Sequence, residues 1–153
     1  RLRDGEVIAT SVEQETIIQP PVDEVTGYGT KINIHTLDVG GTSLEYYRAI
    51  SMYATSYSPC RSGTTGCSYG TASGEKVRKG IVAVIPRWFA YMSGAQVYIP
   101  GYGFAIIGDT GGGISGTDWI DLAYTDDEFI AWHSYVTVYF LTPVPDNILY
   151  DLN

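Results

Sequence analysis

Short apolar runs separated by glycine- and proline-rich turns are the feature that most constrains the fold of this chain. Each run is rich in valine, isoleucine, tyrosine or phenylalanine, which suit a pleated, half-buried strand. Six of them are candidate strands: residues 52–57, 81–85, 96–99, 104–107, 119–123 and 135–141. Many short strands joined by glycine turns are typical of a small closed barrel. We therefore expect an all-β, or mainly β, protein built on a six-stranded barrel.

Two short helices are predicted beside the strands. Pro86 suits the first position of a helix, because it needs no hydrogen-bond partner there, and Gly94 suits the C-terminal cap. A second helix is predicted to begin at Thr125, since Glu128 follows it at the spacing of a capping box.

The first 34 residues have little to bury, and we expect them to form an extended β-ribbon. Asp4-Gly5 is typical of a hairpin turn. The polar, β-branched residues 7–18 predict one long exposed strand, and residues 31–34 predict a second, shorter strand. A single ribbon is marginal by itself, so this stretch is expected to pair with a partner.

The chain divides into three parts on this basis. Residues 1–34 are the ribbon, residues 35–50 are interpreted as a linker passing into a new strand, and residues 51–153 are the barrel domain. Gly40-Gly41 is expected to be the most flexible point of the linker.

Charge and hydropathy exclude several classes of partner. The chain has 17 acidic and 9 basic residues, a formal net charge of −8, and no stripe of lysine and arginine to neutralise phosphates, so no nucleic-acid partner is expected. The longest apolar runs have the length of a strand, whereas a membrane span needs about 20 residues, so no transmembrane segment is predicted. Because the chain opens at Arg1 in polar sequence, without a signal peptide, we expect that it was processed or cut from something longer.

The two cysteines, Cys60 and Cys67, are expected to form a disulfide. The serine, glycine and threonine residues between them allow a small loop to close. The competing interpretation is a zinc site, which needs about four ligands, and only His35 and His133 remain to complete one. We therefore expect neither a metal nor another cofactor. A disulfide indicates an oxidising compartment, which favours an exported protein, extracellular or at the cell surface.

Two carboxylates are the candidates for chemistry. Asp109 closes an apolar run and is followed by Gly111–Gly113, where bare backbone lets a ligand approach. Asp121 lies between two apolar residues of WIDLAY, and a carboxylate buried there must be paired, hydrogen-bonded or protonated. A raised pKa of that kind is typical of a general acid. The alternative interpretation is that Asp121 points outward and bonds to a turn.

Five motifs carry a resemblance to a known family. In order along the chain they are ATSY, TASGEKVRKGIVAV, VYIPGYGFAIIGDTGGGISG, WIDLAY and VTVYFL, which fall between residues 52 and 142. This stretch resembles the three-aspartate domain, a double-psi β-barrel family similar to membrane-bound lytic transglycosylase A. The resemblance implies a six-stranded barrel with a groove across one face.

The same resemblance implies cleavage of the glycan strand of peptidoglycan. In that family an aspartate at the position of Asp121 acts as a general acid and then as a base, while a sugar hydroxyl attacks internally and leaves a 1,6-anhydro end. The aspartate at the position of Asp109 supports the reaction. The groove would be lined by Thr71, Thr110 and Gly111 to Gly113, including Gly112. The aromatic residues that either stack on sugars or pack in the core are Trp88, Tyr102 and Trp119.

Two departures from the family pattern bear on catalysis. Ile85 stands where the first family aspartate is expected, so only two of the three carboxylates remain. The spacing from Asp109 to Asp121 is also one residue longer, which predicts a bulge that can redirect a side chain. A non-catalytic barrel that binds glycan therefore stays open beside the transglycosylase.

The N-terminal stretch has a resemblance of its own. DGEVIATSVEQETIIQPPVDEVTGYGTK is similar to the C-terminal part of the glycine-five module of wall-binding and adhesive surface proteins. That resemblance implies binding to polymers that contain N-acetylglucosamine. Because a ribbon ending in unpaired strands can add to a neighbouring sheet, a structural subunit of a surface filament, joined through residues 1–34, is a third interpretation.

Overall fold

The computed structural model describes residues 2–7, 9–11, 30–63 and 65–150. Strands dominate these residues, and one short helix accompanies them. The elements in chain order are β1 (Leu2–Arg3), β2 (Glu6–Val7), β3 (His35–Val39), β4 (Thr42–Tyr57), β5 (Ile81–Val84), α1 (Pro86–Met92), β6 (Gln96–Ile99), β7 (Gly103–Thr110), β8 (Trp119–Ala123) and β9 (Ser134–Leu141).

Six strands close into a barrel. Their order is β4-β8-β5-β7-β6-β9, and pairing of β9 with β4 completes the circle. The pairs β4–β8 and β5–β7 are parallel, whereas the other pairs of the barrel are antiparallel. The predicted mainly β, six-stranded barrel is confirmed, and each of the six candidate strands corresponds to one barrel strand.

The interpretation of residues 35–50 as a linker is wrong in its secondary structure. β3 and the first part of β4 form an antiparallel hairpin, in which His35 pairs with Tyr46 and Val39 with Thr42. Gly40-Gly41 forms its two-residue turn with φ values of 61° and 87°, a left-handed conformation that glycine adopts without strain. β3 thus adds a seventh strand to the sheet, and β4 begins at Thr42 instead of residue 52.

Of the two predicted helices, one forms. α1 begins at Pro86, and Gly94 follows its end with φ of 83°, as expected. Residues 125–133 form no helix, although the Thr125 hydroxyl contacts both the backbone N–H and the carboxylate of Glu128. Tertiary contacts hold the chain that follows, because the Trp132 backbone N–H donates to Ser56 Oγ and its indole N–H donates to the Tyr124 hydroxyl.

The N-terminal prediction is tested only in part. The Asp4-Gly5 turn is confirmed, since β1 and β2 pair around it with Leu2 opposite Val7. Most of the predicted strand 7–18, and with it most of the proposed ribbon, lies outside the described residues. Residues 31–34 form no strand.

The barrel wall separates two apolar clusters. On β5, Val82 and Val84 belong to the large cluster inside the barrel, whereas Ile81 and Ala83 belong to a smaller cluster on the other face. This alternation follows from the two-residue period of a strand. The smaller cluster lies beneath the functional residues described below. Within the described part of the chain, no helix is both long and apolar enough to cross a membrane.

Candidate functional site

A row of paired residues brings the two candidate carboxylates to one face of the barrel. Ala83 of β5 pairs with Asp121 of β8 on one side and with Asp109 of β7 on the other. Asp121 in turn pairs with Thr55 of β4. Directly paired residues project from the same face of a sheet, so Thr55, Asp121 and Asp109 share the face that carries the smaller apolar cluster.

A bulge at Gly108 gives Asp109 this orientation. Val82 pairs with Ile107, and the next residue, Ala83, pairs with Asp109, so Gly108 is the extra residue of β7. In a regular strand Asp109 would project to the same side as Ile107, which is fully buried inside the barrel. The bulge turns Asp109 to the opposite face, beside Asp121.

The bulge predicted just before Asp121 does not occur. β8 pairs with β4 from Trp119 to Ala123 without a shift in register. Residues 111–118 form the loop that joins β7 to β8, so any difference in the spacing from Asp109 to Asp121 falls outside the regular part of β8. Lengthening a loop leaves the alternation of the following strand unchanged, so Asp121 keeps its orientation.

The two carboxylates lie at a cavity of about 340 Å³ that opens to solvent. Its lining is mostly small residues, hydroxyls and exposed backbone: Tyr57, Ser62, Ser68, Gly70, Ala72, Val77, Ala83, Asp109, Thr110, Gly111, Gly112 and Asp121. Five predicted site residues are therefore brought together: Asp109, Asp121, Thr110, Gly111 and Gly112. Neither lysine nor arginine lines this cavity.

Asp109 is held by three hydrogen-bond donors. Its Oδ1 accepts from the backbone N–H groups of Ala72 and Thr110, both at 2.8 Å, and its Oδ2 accepts from the Tyr57 hydroxyl at 2.7 Å. Because all three partners donate, they match a carboxylate, which only accepts. The contact with Ala72 also ties the segment after the disulfide to β7.

Asp121 has a less polar environment. Burial raises the pKa of its carboxyl above the ordinary value, and the negative charge of Asp109 adds to the rise. A hydrogen bond from the Thr55 hydroxyl, 2.8 Å from Oδ1, and the backbone N–H of Leu122 act in the opposite direction. The balance favours the protonated acid at a higher pH than for a solvated aspartate.

Tyr57 is a site residue that sequence reasoning missed. The residue is 7% exposed and lines the cavity, and burial together with the hydrogen bond to Asp109 raises the pKa of its hydroxyl far above the usual range. The hydroxyl therefore stays protonated and donates to Asp109. Thr55 and Ala72 were missed as well. The ATSY motif contains both Thr55 and Tyr57, and their two-residue spacing on one strand was the available signal.

The remaining predicted residues do not line the cavity. Trp88 is 1% and Tyr102 is 3% exposed, so both pack in the core and cannot stack on a sugar. Thr71 contacts Ser73 and the backbone of Glu75. Trp119 is partly buried, and its indole N–H donates to Thr55 Oγ1 at 2.7 Å. Hydrogen bonds therefore link Trp119 to Asp121 through Thr55.

Replacing Tyr102 with Phe should lower stability and leave the site intact. The Tyr102 hydroxyl accepts from the Gly80 N–H at 2.9 Å and lies 2.7 Å from the Ala123 carbonyl oxygen. Removing it leaves buried backbone groups unpaired, so we expect the free energy of unfolding to fall by about 1–3 kcal/mol in urea titrations. If the Tyr102→Phe protein folded but lost ligand binding at the cavity, the assignment of Tyr102 to the core would be contradicted.

Ile85 continues β5 into α1 and packs partly buried against the barrel core. Its carbonyl oxygen accepts hydrogen bonds from the backbone N–H groups of Trp88 and Phe89. It does not line the cavity, so the site has the two carboxylates Asp109 and Asp121.

One wall of the cavity belongs to a disulfide-closed segment. Cys60 and Cys67 are bonded, as predicted. Asp126 anchors this segment, since its Oδ1 accepts from Ser58 Oγ at 2.7 Å and from the Cys60 N–H at 3.0 Å. These hydrogen bonds lower the pKa of Asp126. The anchor is therefore kept as the pH falls until Asp126 itself is protonated.

Replacing both cysteines with serine should loosen this wall. For so short a loop, the loss of the cross-link is expected to lower the free energy of unfolding by about 2–3 kcal/mol. Urea titrations with and without a thiol reductant measure the effect. The reductant should destabilise the unchanged protein and leave the double serine variant unaffected. Equal stability of the two proteins under oxidising conditions would contradict the prediction.

Among the described residues, no group of three or more histidine, cysteine, aspartate or glutamate side chains is arranged to hold a metal ion. Comparisons of the chain with protein-family models, with curated proteins and with solved structures find no match.

Proposed function

We propose that this protein is an exported, cell-wall or surface glycan-cleaving enzyme that acts as a lytic transglycosylase. The observation that carries the proposal is the placement of Asp121, whose pKa is raised by burial, and Asp109 on either side of Ala83 at one open, hydroxyl-rich cavity. A carboxylic acid kept protonated beside a second carboxylate is a combination that cleaves glycosidic bonds. The bonded cysteine pair supports an exported location.

In the proposed reaction Asp121 acts twice. Its proton passes to the glycosidic oxygen as the bond from that oxygen to the anomeric carbon breaks, and the leaving sugar departs with a free hydroxyl. The C6 hydroxyl of the sugar that keeps the anomeric carbon then bonds to that carbon and returns its proton to Asp121. The acid is regenerated, no water is consumed, and the product carries a 1,6-anhydro end.

Asp109 supplies fixed negative charge for this reaction. Bond breaking builds positive charge on the sugar ring, which a positioned carboxylate stabilises. The donors from Tyr57, Ala72 and Thr110 hold Asp109 in place before the substrate arrives. Because one aspartate serves as both acid and base, the reaction needs no third carboxylate at the position of Ile85.

Mass spectrometry of purified peptidoglycan after incubation with the protein tests this proposal. The appearance of 1,6-anhydro ends is the expected result, and hydrolysed, reducing ends would instead indicate a water-dependent glycosidase. Co-sedimentation with intact peptidoglycan, without any cleavage, would overturn the enzymatic proposal. It would favour the second candidate, a barrel that binds glycan through the same hydroxyl-rich cavity.

A further inference from the structure

We infer that Trp119 and Thr55 form a hydrogen-bond relay that fixes Oδ1 of Asp121 as an acceptor, so that its acid proton is carried by Oδ2. Two short contacts make up the relay. Trp119 Nε1 lies 2.7 Å from Thr55 Oγ1, and Thr55 Oγ1 lies 2.8 Å from Asp121 Oδ1. The three residues occupy neighbouring positions on β4 and β8, where Thr55 pairs with Asp121.

The direction of the relay follows from its first group. An indole N–H can only donate, so Thr55 Oγ1 must accept from Trp119. The Thr55 hydroxyl hydrogen needs an acceptor of its own. Among the residues that the structure describes, Asp121 Oδ1 is the acceptor within hydrogen-bond distance. Thr55 therefore donates to Oδ1, and a proton placed on that oxygen would face another hydrogen.

The catalytic meaning of the relay rests on the proposed function. If Asp121 is the general acid, Oδ2 delivers the proton to the glycosidic oxygen. Trp119 then acts as a positioning residue at a distance, because it touches Thr55 and does not line the cavity. This gives Trp119 a role other than the sugar-stacking role expected from the sequence.

Charged and titratable neighbours do not confound a test of the relay. Asp109 of β7 and Tyr57 of β4 are the titratable groups that couple to Asp121, and the hydrogen bonds that the structure describes for these two groups involve neither Thr55 nor Trp119. β5 presents an uncharged residue, Ala83, to Asp121. A change in the pKa of Asp121 on altering Thr55 or Trp119 therefore reports the hydrogen bonds.

A double-mutant cycle read by carbon-13 NMR titration of the Asp121 carboxyl tests the inference without any substrate. Thr55→Val should raise the pKa of Asp121 by about one pH unit, because a donor to the ionised form is lost. Trp119→Phe should raise it by a smaller amount, because the freed hydroxyl can turn away. In the Thr55→Val background, Trp119→Phe should change nothing further. Equal shifts from Trp119→Phe in both backgrounds would overturn the relay.

Two controls match these variants. Thr55→Ser keeps the hydroxyl and should retain the pKa of the unchanged protein. Trp132→Phe also removes an indole hydrogen bond, the one to Tyr124, but neither residue is among the groups that shift the pKa of Asp121, so that pKa should stay unchanged. Neutron diffraction of the unchanged protein needs no variant. A hydroxyl hydrogen directed from Thr55 to Asp121 supports the relay, and one directed elsewhere refutes it.

The same variants separate the relay from the proposed function. Cleavage that declines at a higher pH in Thr55→Val than in the unchanged protein would support both. An NMR cycle that behaves as expected, in a protein that produces no 1,6-anhydro ends, would retain the relay and reject the transglycosylase. If the protein cleaves glycan but the pKa shifts of the two single variants add in the double variant, the proposed enzymatic function would be retained and the relay rejected.

Discussion

Replacing Asp121 with Asn should lower the rate of glycan cleavage by about 10²–10⁴-fold, the usual contribution of a positioned general acid. Asparagine has nearly the same shape, and its carbonyl oxygen can still accept the hydrogen bond from Thr55. It cannot give up or take back the transferred proton. The rate of formation of 1,6-anhydro ends measures the effect. Asp127→Asn, a change of an exposed aspartate that does not line the cavity, should retain full activity.

The same substitution should make the protein more stable near pH 7. The pKa of Asp121 is raised on folding, so the folded state disfavours its ionised form and loses stability as the pH rises from the unfolded pKa through the folded one. Asn carries no charge and avoids that loss. We expect a higher Tm for Asp121→Asn at pH 7, and the difference should vanish below about pH 4, where both forms are neutral. Retained cleavage, or a lower Tm at pH 7, would contradict the role given to Asp121.

The barrel could be predicted because its strands carry their pattern locally. On β5, β6 and β8 the apolar residues alternate or run continuously, and proline follows the runs of β5 and β6. The hairpin of β3 with β4 was missed because its apolar positions are sparse and half-exposed, so pairing with the barrel, and not its own pattern, makes it a strand. A propensity argument has no access to that pairing.

The helix predicted from Thr125 is the opposite case, because a clear local signal is present but no helix forms. There the local signal was correct, since the Thr125 hydroxyl makes the capping contacts with Glu128. A capping box starts a helix only if the following residues gain more from helical hydrogen bonds than from other partners. Trp132 has its partners in Ser56, 76 positions away in sequence, and in Tyr124, which directly follows β8. Tertiary contacts therefore decide the conformation.

The site was predictable in its residue types and unpredictable in its geometry. Asp109 and Asp121 could be selected because each stands in an apolar or glycine-rich context. The two side chains lie on one face because of the bulge at Gly108 and because both residues pair with Ala83. The sequence pattern of β7 does not predict that bulge. Tyr57 enters through a contact between strands 52 positions apart in sequence. Such long-range pairings cannot be derived from a single sequence.

Replacing Asp109 with Ala should lower the free energy of unfolding by about 3 kcal/mol, because three donors lose a charged acceptor at once and such hydrogen bonds contribute about 1.5–3 kcal/mol each without adding fully. One of these donors is the hydroxyl of Tyr57, and this residue as a whole is 7% exposed. Urea titration measures the loss. Asp126→Ala is the matched control, since it removes a carboxylate that also accepts several donors but lies outside the cavity lining.

Asp109→Asn should separate the charge of Asp109 from its hydrogen bonds. The asparagine carbonyl oxygen can accept from Ala72 and Thr110, while its amide group donates to the Tyr57 hydroxyl, which can also accept. The structure should therefore be retained, but the negative charge that raises the pKa of Asp121 is lost.

Because the protonated form of Asp121 is the active one, a lower pKa should move the alkaline decline of cleavage in Asp109→Asn to lower pH. NMR titration should show a lower pKa of the Asp121 carboxyl in Asp109→Asn, whereas Asp126→Ala should leave that pKa unchanged. If Asp109→Asn destabilises the protein as much as Asp109→Ala does, or leaves the pKa of Asp121 unmoved, the two carboxylates do not act as the coupled pair that the shared pairing with Ala83 indicates.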